Sequence, residues 1–307
     1  MNRKAFIMAS ITIIIWASSF AGIRAGLLGG YSAGHLVLVR FLVASGIFLL
    51  YAISPRAHFQ MPRKKDLIRI ILLGWVGISV YHAGLTFGQQ TVSAGTASMI
   101  VGAAPIFTAL IAVFFFKERM DLFSWIGLGI GFSGIILITI GSADASFSLT
   151  GGAFLIVIAT VATSVFFVFQ QPLYKRYRPI ELTAYFTWAG TLPMLIFLPG
   201  LFQDIQEATF AAHVSAIYVG VFPAAIAYVT WAIALSLGKA SSVTSMLYVE
   251  PAIAIVIAWF WLNEWPSTLS IIGGNDSHFQ CRCRQCCWKK TASSASGKNM
   301  RTKKLKK

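Results

Sequence analysis

Glu250 is the residue best suited to chemistry. It falls within an apolar run, residues 240 to 262, and is followed by Pro251. A charge at the centre of a membrane helix costs about 2.5–3.5 kcal/mol on insertion scales, so Glu250 is predicted to face a cavity or to stay protonated. That suits proton coupling or contact with a solute; the structural alternative is a protonated carboxyl bonded to a neighbouring helix across the proline kink. Pro251 removes a backbone hydrogen bond and frees a carbonyl, as in the broken helices that line solute sites. Arg40, a few residues inside the run 34 to 53, is suited to steering or pairing with an anion, or to bonding helix-end carbonyls. Arg24, near the end of the first run, is predicted to snorkel to the interface. His82 is suited to relaying a proton or to neutral hydrogen-bonded packing. Trp16, Gln89, Gln170 and Tyr248, with Tyr81, Tyr228 and Trp231, supply aromatic faces and amides for lining a route for amphipathic solutes, although most aromatics in such a chain pack or face lipid. Pro105 and Pro251 are hinge candidates, or fixed kinks.

These residues must be held by membrane helices. Of 307 residues, 57% are apolar and 11% charged, against about 45–50% and about 25% in a soluble domain. A water-soluble globule is excluded. Nine blocks reach the length of about 20 apolar residues that a spanning helix needs. They run from 5 to 27, 34 to 53, 67 to 88, 94 to 116, 122 to 141, 151 to 171, 181 to 199, 213 to 236 and 240 to 262, and a tenth begins at Ser267 and breaks off at Gly274. The apolar start runs past signal-peptide length to Leu27, so it reads as a retained first helix.

Positive charge sorts the turns. With Arg3 and Lys4 on the cytoplasmic side, alternate turns carry Arg56, Arg63, Lys64 and Lys65, then Lys117 and Arg119, then Lys175, Arg176 and Arg178, then Lys239. The turns between them hold neither Lys nor Arg. This alternation predicts a multi-pass protein of the cell membrane with a cytoplasmic N-terminus.

An internal repeat is also legible. Ser93 to Pro105 aligns with Lys239 to Pro251 at an offset of 146, which also pairs Phe114 with Phe260, Glu118 with Glu264 and Gly127 with Gly273. Five helices in each half is an odd number, so the copies must cross the membrane in opposite directions, the inverted-repeat plan of secondary transporters. The predicted architecture is therefore all-α integral membrane, with one repeat over 1–141, a second over 151–274, and a basic tail over 275–307.

The tail interrupts the repeat. Residues 1 to 274 carry a net charge of +6 and residues 275 to 307 a net +9, with all four cysteines in the tail. Codons read one base later from Asn275 turn Cys into Val or Ala, Trp288 into Gly, and Lys into Lys or Arg. That product is an apolar helix with a basic end, so the tenth helix reads as lost to a frameshift. Cys281, Cys283, Cys286, Cys287 and His278 are zinc-type ligands, but their spacing is crowded and the shifted frame accounts for them; no metal site is predicted. Gly129-x-Gly131-x-x-Gly134 matches the dinucleotide fingerprint only as a string, because it lies in a spanning segment with no preceding strand. No cofactor, nucleotide or nucleic-acid partner is expected.

With these motifs in hand, the chain resembles the EamA branch of the drug/metabolite transporter superfamily. The resemblance rests on Trp16 to Arg24, on Leu38 to Ala44, and on the Pro-to-Glu segments ending Lys117-Glu118-Arg119 and Asn263-Glu264. It covers residues 5 to 274. It implies a secondary transporter that moves small organic metabolites or drugs across the cytoplasmic membrane, with proton-coupled export among the modes. The reading from another class is a membrane protein without transport activity, an intramembrane enzyme or a scaffold. The residues set neither substrate nor oligomeric state. Reporter tags at positions 60 and 177 are expected to read cytoplasmic, and tags at 145 and 205 external; one inverted tag contradicts the charge-based topology.

Overall fold

The computed structural model describes residues 2–54, 57, 59–116, 126, 129, 133, 151–238 and 243–264. Most of the predicted segment 122 to 141, the start of a tenth helix and the tail 275–307 lie outside the described residues, as do Lys117, Arg119 and Lys239. Described secondary structure is helical throughout. α1 is Arg3–Leu28 and α2 Ala33–Ala52. α3 joins Lys64–Gly74, a π-helical turn at Trp75–Val80, and Tyr81–Gly88. α4 is made of Ala94–Val101 and Ala104–Phe116. α5, Gly151–Gln170, continues as a 3₁₀ turn to Lys175, and α6, Pro179–Met194, ends in another. α7 is the short Leu201–Glu207. α8 joins Phe210–Val221, a second π-helical turn at Phe222–Ile226, and Ala227–Leu237. α9 starts as a 3₁₀ turn, Ser245–Val249, and becomes α-helical over Glu250–Leu262. Seven of these helices are long and apolar enough to cross a bilayer, and α9 is a shorter apolar one.

Local chemistry accounts for the boundaries. Asn2, Ser32, Ser93 and Thr209 each turn a side-chain oxygen onto a first-turn N–H, closing the starts of α1, α2, α4 and α8. Pro179 opens α6, where its missing N–H removes nothing. Gly200 adopts φ +84° between α6 and α7, and Asn263 adopts φ 54° after α9, both left-handed geometries that end a helix. α7 lies in a turn in which the sequence showed no apolar block; Gln203 donating to Glu207 across one turn supports it.

Outward faces carry Phe6, Ile14, Leu50, Ile68, Phe154, Ile196, Phe210 and Phe260, all exposed, as lipid contact requires. With both faces apolar, small residues decide how the helices pack. A methyl on Gly77 would fall 2.2 Å from the Phe166 ring, and one on Gly88 2.6 Å from the Gly152 carbonyl oxygen, so α3 lies directly on α5.

The repeat offset recurs in space. α2 and α6 begin at equivalent positions, as do α3 and α8, and so do the second piece of α4 and the α-helical part of α9. The two π-helical turns are equivalent as well. Ser45 and Thr191 hydroxyls meet at 2.9 Å, and His82 Nε2 meets the Tyr228 hydroxyl at 2.8 Å, each pair being separated by 146 residues. Residues related by the repeat touch one another, as they must along a local two-fold axis. A methyl on Gly74 would sit 2.8 Å from the Phe186 carbonyl oxygen and 2.9 Å from Ala189, while one on Gly220 would sit 2.8 Å from the Arg40 carbonyl oxygen and 2.8 Å from Val43. Those are the same contacts transposed by the offset.

Gly220→Ala therefore forces a methyl into backbone and is expected to destabilise by about 1–3 kcal/mol. Gly46→Ala, with nothing within 4 Å of its methyl, is expected to gain up to about 1 kcal/mol of helix propensity. Thermal unfolding midpoints in detergent check the pair; equal midpoints contradict the close α2–α8 approach.

Candidate functional site

The π-helical turns position the site. Each adds a residue to one turn and re-aims the side chains that follow. After Trp75–Val80 come Tyr81 and His82, and after Phe222–Ile226 comes Tyr228. Arg40 of α2 and Glu250 of α9 complete the group, and all four of His82, Tyr228, Arg40 and Glu250 are buried. The phenols of Tyr81 and Tyr228 lie within electrostatic reach of both Arg40 and Glu250. Three of the sequence-predicted site residues, Arg40, His82 and Glu250, are thus brought together from different helices.

Within the group, hydrogen bonding is incomplete. His82 Nε2 is engaged with the Tyr228 hydroxyl, while its Nδ1 has no partner. The Nε and Nη1 of Arg40 have none either. The guanidinium lies 5.3 Å from the Phe41 ring centre, a cation–π contact. Among the described residues the ion pairs are Arg24–Glu264, His35–Asp204 and Arg176–Asp66, so neither Arg40 nor Glu250 is paired. A guanidinium stays charged, and an unpaired charge in a membrane interior is normally turned toward an aqueous cavity or a ligand.

An aromatic wall adjoins the group. Trp16 packs 5.3 Å from Tyr228, 5.1 Å from Trp231 and 6.1 Å from Phe167, and Trp231 packs 5.2 Å from Phe167. Trp16 donates its indole N–H to the Pro223 carbonyl at 3.1 Å, covering an acceptor in the π-helical turn. The indole N–H of Trp231 is buried without a partner.

The two proline candidates lie beside interruptions of their helices. α4 breaks at Gly102–Ala103 just before Pro105, and α9 changes from 3₁₀ to α at Glu250, just before Pro251. The breaks touch, since a methyl on Gly102 would fall 2.5 Å from Pro251 Cγ. Hydroxyls of α5 reach across to the first break: Ser164 lies 3.0 Å from the Ala104 carbonyl, and Thr160 reaches Ile100. Tyr248 lies in the 3₁₀ turn and is buried.

Other predicted residues lie at the ends of the bundle. Gln89 donates to the Phe20 carbonyl at 3.0 Å. Gln170, at the end of α5, accepts from the Tyr174 hydroxyl at 2.7 Å, and its Nε2 is buried and unpartnered. Arg24 is held at one end of the bundle. Its Nε meets Glu264 at 3.0 Å, and its Nη1 donates to the carbonyls of Gln89 at 2.7 Å and Gln90 at 3.0 Å. Glu264 also accepts from the Ala94 N–H at 3.2 Å. The bare carbonyls at the end of α3 and the bare N–H at the start of α4 offer Arg24 and Glu264 partners that the bilayer surface would have to better. Beside this clasp, Asp204 accepts from the Ser32 N–H at 2.8 Å and lies 2.6 Å from His35 Nδ1. Partial burial pushes the Asp204 carboxyl up, but the Ser32 N–H and the His35 ring outweigh it and hold the group below the ordinary carboxylate range.

At the opposite, basic end, Asp66 accepts from both Arg176, at 2.8 and 3.0 Å, and the Tyr177 hydroxyl at 2.8 Å. A hollow of about 450 Å³ there, lined by Tyr174, Arg176, Arg178 and Ser236 among others, includes no member of the buried group. No cluster of three His, Cys, Asp or Glu side chains suited to a metal occurs among the described residues.

Known proteins share the family and the fold of this chain. The sequence profile of the EamA-like transporter family matches residues 3–140 and again 150–275. An uncharacterized transporter of Bacillus subtilis (strain 168), YdfC, is 41% identical over 277 residues, 89% of each chain. A Streptantibioticus cattleyicolor protein named "Probable terminal-alkyne amino-acid exporter" is 36% identical over 271 residues, 88% of this chain and 90% of its own. A solved crystal structure at 15% identity superposes with a TM-score of 0.68 over 95% of this chain and 99% of the other, which shows a common fold.

The Arg24–Glu264 clasp generates its own test. Arg24→Ala and Glu264→Ala are expected to be non-additive, with a coupling of about 0.5–3 kcal/mol in a double-mutant cycle read from thermal midpoints. Strict additivity contradicts a direct clasp.

Proposed function

The chain belongs to the EamA-like transporter family, and we propose that it works by alternating access around the buried group of Arg40, Tyr81, His82, Tyr228 and Glu250. It is a multi-pass membrane transporter of a small-molecule substrate. In the proposed cycle, two inverted repeats, residues 1–141 and 151–274, rock about an axis near the His82–Tyr228 bond. The observation that carries this reading is that bond, 2.8 Å between residues 146 apart, at the site and on the repeat offset together. The equivalent π-helical turns and the transposed glycine contacts support the same axis. The touching breaks of α4 and α9 are the hinges, and the Arg24–Glu264 clasp closes one end of the path.

The alternation of Lys and Arg supports the cell membrane with a cytoplasmic N-terminus, which makes the clasped end external. The second family match ends at residue 275, where the reading frame is proposed to shift, so the tenth helix belongs to the corrected product. Glu250 is the proposed coupling carboxyl. It is buried on α9, is unpaired among the described residues, and lies near two phenols that can pass or stabilise a proton. Amino-acid-derived metabolites form the first substrate panel, because the Streptantibioticus relative is named for such a solute.

Proteoliposomes carrying the wild type are expected to accumulate a panel substrate under an imposed proton gradient. Glu250→Gln is expected to abolish accumulation while leaving substrate exchange at equal concentrations. Gradient-driven accumulation by the variant at the wild-type rate overturns the coupling role.

A further inference from the structure

Among the described residues the most buried charged side chain is a cation. Arg40 is 1% exposed, and its Nε and Nη1 make no hydrogen bond. The groups that face it are the phenols of Tyr81 and Tyr228 and the His82 ring, none of them a carboxylate. Glu250 shares the two phenols with it but lies outside ion-pair distance. Packing holds the guanidinium in this position. The Arg40 backbone is pinned by Gly220, where even a methyl would fall 2.8 Å from its carbonyl oxygen, and Phe41 lies beside the guanidinium at 5.3 Å. A planar fork of donors held in a dry, rigid setting is the arrangement that recognises a carboxylate.

The surroundings set the rest of the ligand. From Tyr228 the packing continues as Trp16, Trp231 and Phe167, an aromatic cluster buried except for part of Trp16 and holding one unpartnered donor, the indole N–H of Trp231. Resting on the reading of this group as the transport site, we propose that Arg40 seats the carboxylate of an amphipathic organic acid whose apolar body lies on the Trp16–Trp231–Phe167 wall. The carboxylate neutralises the buried guanidinium, so the acid binds and its neutral amide does not. The same contact explains how a site without an internal ion pair is made selective: the substrate supplies the missing charge.

The test uses purified full-length protein in detergent, with 3-phenylpropionate, indole-3-acetate and L-phenylalanine as probes and their amides as controls. Millimolar concentrations of at least one acid are expected to raise the thermal midpoint of the wild type, and its amide is not. Arg40→Gln is expected to bind that acid on the order of 10- to 100-fold more weakly, the loss of a charge-assisted hydrogen bond, and Arg40→Lys is expected to recover part of it. The comparison of acid with amide needs only the wild type, so a variant that fails to fold does not remove the test. No stabilisation by any of the three acids overturns the proposal, as does equal stabilisation by acid and amide. Equal stabilisation by dodecyl phosphate assigns the seat to a lipid headgroup and also overturns it. Binding that depends on Arg40, together with a Glu250→Gln variant that accumulates substrate normally, refutes the coupling role and leaves this proposal standing. Coupling that depends on Glu250, with acid and amide bound alike, does the reverse.

Discussion

Arg40 and Glu250 share one membrane-spanning core, and among the described residues neither is neutralised by an opposite charge. Burying an ion costs several kcal/mol even after the surroundings relax, so the helices around these two must be packed tightly enough to hold them in place. The packing is done largely by glycine. Where α2 meets α8 and α3 meets α6, Gly220 and Gly74 let one backbone come within the width of a methyl group of another. The two π-helical turns then rotate Tyr81, His82 and Tyr228 inward, and His82 and Tyr228 bond to each other rather than to the charges. The polar centre is thus built by backbone geometry, with side-chain donors left over.

Polar groups at the two ends are treated differently. Arg24, Glu264, Asp66 and Arg176 are matched to carbonyls, N–H groups or one another. Such bonds stabilise a closed end and can be exchanged for water when that end opens. The centre has no equivalent exchange within the protein. A transporter must release what it binds, and matched ends around an unmatched centre fit the proposed cycle, in which the ends set which side is shut and the centre takes the solute.

Much of this was readable in the residues. Apolar blocks of spanning length marked the helices, because lipid demands continuous apolar surface, and each described helix except the short α7 lies within a few residues of its block. Glu250 and Arg40 stood out because charges inside such blocks are costly. The offset of 146 was legible in the sequence, but the aligned segments included neither Ser45 and Thr191 nor His82 and Tyr228, the pairs that meet in the structure. The π-helical turns left no mark, since Trp75–Val80 and Phe222–Ile226 are as apolar as their flanks. The partners of Arg24 were not legible, because they are backbone carbonyls at the end of α3 and a carboxylate 240 residues away, and neither is visible to local spacing. Gln89 and Gln170 both lie where a helix ends, and the interhelical bond of Gln89 to the Phe20 carbonyl was not legible from amide chemistry alone.

The central claim is that the Arg40–Glu250 group is a solute-accessible site and not a sealed structural core. All four cysteines lie in the 275–307 tail, so replacing them by serine gives a background in which a single cysteine at position 81 reports on the site alone. Labelling of that cysteine by a membrane-impermeant methanethiosulfonate reagent, from one face of sealed vesicles at a time, is the measurement. The account predicts that the cysteine is modified, and that a transported solute slows the modification. A cysteine that is never modified from either face, while the same protein still transports, contradicts it.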